Sequence, residues 1–169
     1  DAGDVTDGAG NGELADHLTF FWWADDGDNV LEEGENLLPA GVLGNLDVGE
    51  TATVPLADSD SNIWGDQGPL PGDDVRYIGK AWCFGAVSPN PVAQGRGVSP
   101  IVDSGILCNG SSINNASQTD SVMADLSFSA VQHRNNPNFT CDGTVPSITS
   151  TITPTPTPLA CQQADVMLV

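Results

Sequence analysis

A chain of 169 residues, 39% of them hydrophobic, can build one core but not two, which excludes a multidomain enzyme. Four Lys and Arg against 23 Asp and Glu leave a formal charge of −19, so phosphate backbones and anionic membrane surfaces repel the molecule, and nucleic acid is excluded as a partner. Of the acids 18 are Asp, and together with 19 Gly and 12 Pro they supply turns rather than helices, which points to an all-β chain.

The chain opens Asp1-Ala-Gly-Asp without Met or a charged, apolar leader, as expected of a processed or excised polypeptide. Residues 1–12 are Gly, Asp and Ala with little to bury, and are expected to form a flexible N-terminal segment. The folded domain is expected over residues 13–143. It starts with one helical turn at residues 13–16, followed by His17-Leu-Thr-Phe-Phe-Trp-Trp23, whose aromatic and β-branched content predicts a buried strand. After an acidic turn come Leu37-Leu38-Pro39, a second apolar patch at residues 42–46, and a short alternating strand at residues 50–55 that ends on Pro55. Residues 58–74 read as a long polar loop carrying Trp64.

Residues 75–84 alternate well enough for a central strand, and residues 121–133 carry the clearest period of two. There Val122, Ala124, Leu126, Phe128 and Ala130 share one face, while Ser121, Asp125, Ser127 and Ser129 share the other. That is the pattern of a half-buried antiparallel strand, and it calls for a sandwich partner. Residues 87–119 between them form a turn-rich excursion, long enough for a hairpin or a large loop pinned by Cys83 and Cys108. Residues 144–158 form a Thr/Pro-rich linker that favours extended polyproline II. Residues 159–169 form a strand-like tail, either the start of another domain or a strand given to another sheet. No run of about 18 apolar residues spans a bilayer, so no membrane insertion is expected.

Cys83, Cys108, Cys141 and Cys161 contain no CxxC pair, and an even number of cysteines in a Lys-poor acidic chain fits disulfides and an extracellular, cell-surface location. With Cys83 joined to Cys108, Cys141 is left for Cys161 or for a thiol outside the chain. Asn109, Asn115 and Asn138 head sequons that are compatible with export, but such triplets also arise by chance in a chain rich in Ser, Thr and Asn.

The acidic turn, residues 24–35, overlays a calcium-binding loop of the helix–loop–helix type. Asp26, Asp28, the Val30 carbonyl, Glu32 and Glu35 fall on its third, fifth, seventh, ninth and twelfth positions. Ala24 stands where the first ligand belongs and Asn29 where the loop usually has Gly, with Asp25 adjacent to replace the missing ligand. Calcium is the expected ion, and the competing reading is a solvated acidic turn. Enzyme chemistry finds no footing. His17 and His133 are the only histidines, and neither HExxH nor Gly-x-Ser-x-Gly occurs. Of Trp22, Trp23, Trp64 and Trp82, three lie in expected strands, so Trp64 in its polar loop is the one candidate for ligand or subunit contact.

Residues 21–35 (Phe-Trp-Trp-Ala-Asp-Asp-Gly-Asp-Asn-Val-Leu-Glu-Glu-Gly-Glu) and 118–136, with Gly79-Lys-Ala-Trp-Cys-Phe84 and Leu107-Cys-Asn-Gly110, resemble the TasA/camelysin family of exported surface proteins matured by a SipW-type signal peptidase. The resemblance covers about residues 13–141. It implies a jelly-roll-like β-sandwich and an extracellular structural protein of a surface filament or biofilm-matrix fibre that assembles by strand exchange. Self-association into fibres would then be the main partnership. Family members carry a first Gly/Leu-rich strand upstream of the segment matched here, and residues 1–12 hold none. The sandwich is then completed by a strand from another subunit or another chain segment. Camelysin has been classed as a metallopeptidase, but no zinc-binding set carries over onto this chain. The tail Ala164-Asp-Val-Met-Leu-Val169 resembles the opening strand of a von Willebrand factor A domain. That likeness supports the alternative function, a calcium- or glycan-binding adhesin module among the neighbouring domains of a larger cell-surface protein.

Overall fold

A computed structural model of the chain describes residues 13–38, 41–42, 51–95, 99–115, 117–118, 120–141 and 162–168. The N-terminal segment and the Thr/Pro linker expected from sequence lie outside the described residues, as does Cys161. The described chain is predominantly β and its paired strands run antiparallel. One helical turn, α1 (Leu14–His17), is followed by β1 (Leu18–Asp25), β2 (Gly41–Val42), β3 (Thr51–Ala57), β4 (Tyr77–Phe84), β5 (Ala86–Pro89), β6 (Ile106–Asn109), β7 (Ala124–Ser129) and β8 (Gln162–Leu168). They form two three-stranded sheets, β2-β1-β4 and β3-β8-β7, and a two-stranded hairpin, β5-β6.

The first sheet holds the core. β1 pairs with β4 along its whole length, and the register sets Trp23 opposite Gly79. Trp23 is fully buried because Gly79 offers no side chain: a Cβ there would lie inside the indole. Phe21, Trp23 and Leu31 form one buried cluster, covered by Ala81 of β4, Val87 of β5 and Ile106 of β6. The hairpin is held over that cluster by a disulfide from Cys83 in β4 to Cys108 in β6. Leu18 makes a second cluster with Leu14, Phe20, Phe84 and Val122. Cys141 is disulfide-bonded as well.

The second sheet differs from the expectation. β7 was expected to be half-buried, yet Leu126 is 39% and Phe128 59% exposed, because no described element covers the apolar face of the strand. The tail expected to serve another domain or another sheet is the central strand β8, paired with β3 on one side and β7 on the other. The β3 register shifts between Pro55 and Ala57, where proline cannot donate to the ladder.

Candidate functional site

The acidic loop leaves the end of β1 and returns beside it. The Ala24 amide donates to the Asn36 carbonyl and the Leu38 amide to the Trp22 carbonyl, both at 2.9 Å, which closes the loop at its base. Its middle is not a solvated turn. Val30 and Leu31 are fully buried, and the Leu31 amide donates to the Ser104 carbonyl at 2.9 Å. The Val92 amide donates to the Leu31 carbonyl at 3.0 Å, and the Glu33 amide to the Val92 carbonyl at 2.8 Å. Gly105, at φ +71°, lets the chain approach so closely that a Cβ would collide with the Leu31 carbonyl.

The apolar anchor at residues 30–31 turns the acids into a fixed constellation. Asp25 is buried: Oδ1 accepts the Trp23 indole N–H at 3.0 Å, and Oδ2 accepts the amides of Gly27 at 2.9 Å and Asn29 at 3.1 Å. Asn29 holds a left-handed conformation at φ 59°, the role usually filled by Gly, and its Oδ1 accepts the Lys80 amide at 2.9 Å. Asp28 Oδ1 caps the Val30 amide at 2.8 Å. Glu32 is 1% exposed; Oε1 accepts the Gly95 amide at 2.8 Å and Oε2 the Gln94 side-chain N–H at 2.5 Å. Glu35 reaches back across the loop, its two oxygens accepting the amides of Asp26 at 3.1 Å and Glu32 at 2.8 Å.

Among the described residues, two acidic groups have ligand oxygens within 4.8 Å of one another: Asp25, Asp26 and Asp28, and Asp26, Glu32 and Glu35. Either can coordinate a divalent cation, and their donors are oxygens only. The four carboxylates expected from the spacing, Asp26, Asp28, Glu32 and Glu35, therefore divide between two overlapping sets with Asp26 common to both. Asp25 joins Asp28, as its position beside the missing first ligand suggested. Val30, expected to contribute its carbonyl, is the loop's buried anchor. Glu35 carries the electrostatic signature of the crowding. Burial first, then the charges of Asp25 and Asp26, raise its pKa from 4.5 to about 7, against the opposing pull of the Glu32 and Asp26 amides.

Beside the loop lies a cleft of about 420 Å³, whose lining includes Asp25, Asp26 and Glu35 together with Trp64, Arg76 and Tyr77. Trp64, singled out by its isolation in a polar loop, is thus next to the acids. Sequence reasoning missed Tyr77, Arg76, Gln94 and Gly95, which reach the site from segments far along the chain and carry no local motif. The histidines lie elsewhere: His17 packs edge-on against Phe84 at 5.9 Å, and His133 is exposed in a short 3-10 turn.

No known family model, curated protein or solved structure matches the chain.

Proposed function

We propose that the chain is an extracellular structural module of a surface filament or biofilm-matrix fibre, TasA-like, whose jelly-roll-like sandwich is completed by a strand from another subunit or chain segment. The observation that carries this reading is the exposed apolar face of β7. β7 has the alternation of a strand that packs on a partner, yet Leu126 and Phe128 are exposed. Apolar surface left open on a paired sheet is the kind that a neighbouring subunit buries. The two outer strands of the second sheet, β3 and β7, also present edges for further pairing. The disulfide between Cys83 and Cys108 suits an oxidising exterior, and among the described residues no helix is long and apolar enough to cross a membrane. The reading is non-catalytic. Electron microscopy of native material, paired with intact mass, tests it: regular fibres built of this chain are expected, and dispersed particles of larger mass would refute it.

A second reading, a calcium-binding adhesin module, is favoured by the acidic loop. Its all-oxygen donors suit a hard cation, and calcium tolerates the irregular geometry of two overlapping groups. Calcium should raise the melting temperature by binding only the folded loop. Asp28→Ala combined with Glu35→Ala removes one carboxylate from each group and should abolish that rise; a rise of unchanged size would put the ion elsewhere.

A further inference from the structure

We infer that the cleft between the acidic loop and Trp64 binds a neutral saccharide, an assignment that rests on the adhesin reading and gives it a ligand. The cleft's volume, about 420 Å³, falls in the usual range of small-ligand sites and leaves room for a short oligosaccharide. Its lining combines aromatic rings with polar groups, the two kinds of surface that a pyranose ring can meet. Trp64 and Tyr77 line the cleft, residues whose rings suit the apolar C–H face of a sugar. Asp26, Glu35 and Asn36 line it as well. The carboxylates offer acceptors, and the Asn36 amide offers an acceptor and a second N–H, the groups that neighbouring hydroxyls require.

The aromatic lining is held in place by the protein alone. The Trp64 indole N–H donates to the Tyr77 carbonyl at 3.0 Å, and the Trp64 amide donates to Asn62 Oδ1 at 3.0 Å. Arg76 lies 6.0 Å from the centre of the Trp64 ring, and its guanidinium is clamped by Asp66 and Asp74 at 2.8 Å each. Asn36 is fixed by donating from Nδ2 to the Ile63 carbonyl at 2.7 Å. Gly27 lies against the Tyr77 ring, where a Cβ would come within 3.1 Å. A wall ordered in advance lowers the entropic cost of binding. Even so, Tyr77 stays 49% and Val75 67% exposed, apolar surface that the fold itself leaves unburied.

Charge selects among sugars. Asp25, Asp26 and Glu35 all line the cleft, while the charge of Arg76 is already matched by two carboxylates. Sulfated, phosphorylated and uronic sugars are therefore repelled, and neutral ones are not.

An array of neutral, amino, uronic and sulfated oligosaccharides, probed with the full chain, tests the assignment. Retention of neutral oligosaccharides is expected, with a loss of about tenfold or more in Trp64→Ala and in Asp26→Ala. Asp26 is exposed, and its carboxylate supports no strand, so that variant keeps the test decisive if Trp64→Ala fails to fold. Retention of charged glycans alone overturns the assignment. Neutral binding unchanged in both variants also overturns it, while leaving the adhesin reading standing with its site elsewhere. No glycan retained at all overturns the assignment too, while the adhesin reading then stands or falls on the calcium-dependent rise in melting temperature.

Discussion

Glu35 is pulled in two directions by its own loop. Two backbone amides hydrogen-bond its carboxylate and favour the charged form, yet burial and the nearby Asp25 and Asp26 outweigh them and hold its proton up to a pH of about 7. An unfolded Glu gives that proton up near 4.5, so between these values the native state binds more protons than the unfolded one. The contribution of Glu35 to stability therefore falls as pH rises from 4.5 to about 7, the reverse of the usual behaviour of a paired carboxylate. The quantity to measure is the difference between wild type and Glu35→Gln, which cannot ionise. In divalent-free buffer the wild-type melting temperature is expected to fall more steeply across this interval than that of the variant. With calcium present the difference should vanish or change sign, because the ion requires the ionised form and binds more tightly as the proton leaves. Parallel pH curves without calcium would mean that Glu35 is solvated like any surface acid.

Among the elements, β7 separates what a strand's own sequence says from what its surroundings supply. A Phe whose side chain fills a core costs about 3–5 kcal/mol when cut to Ala, whereas an exposed side chain costs about 0.5 kcal/mol or less. With Phe128 at 59% exposure, Phe128→Ala should leave chemical denaturation of the dispersed chain near the second figure, while preventing assembly if a neighbour covers that face. A loss near the first figure in the dispersed chain would mean that the face is already covered within it. The period of two in residues 121–133 was legible because alternation is local; the absence of cover was not, because cover is a property of other elements. The same division runs through the site. The aromatic run revealed β1, and the acid spacing revealed Asp26, Asp28, Glu32 and Glu35. That Val30 and Leu31 anchor the loop depends on Val92, Ser104 and Gly105, more than 60 residues away in the chain. Backbone amides hold Asp28, Glu32 and Glu35 in place, and spacing alone does not encode those bonds.

For the molecule as a whole, charge governs both folding and association. A formal charge of −19 with only four basic residues means that the folded chain repels itself and every copy repels the next. That repulsion reaches about 30 Å at 0.01 M salt and about 3 Å at 1 M, so a subunit-sized distance is unscreened in the first case and fully screened in the second. The apolar face of β7 can gain from burial in a neighbour only once this long-range term is suppressed. Fibre formation is therefore expected to be negligible in dilute buffer and to rise steeply with sodium chloride. The melting temperature of the dispersed chain should climb over the same range, since screening also relieves repulsion within one fold. Calcium should promote assembly at concentrations far below those of sodium if it is held in the acidic loop, because a bound divalent ion cancels charge at a fixed place rather than by screening. Light scattering across a sodium series, with and without calcium, measures both effects. Assembly equally fast in dilute and concentrated salt would place the joining surfaces away from the acidic regions and make strand pairing, rather than charge, the step that limits growth.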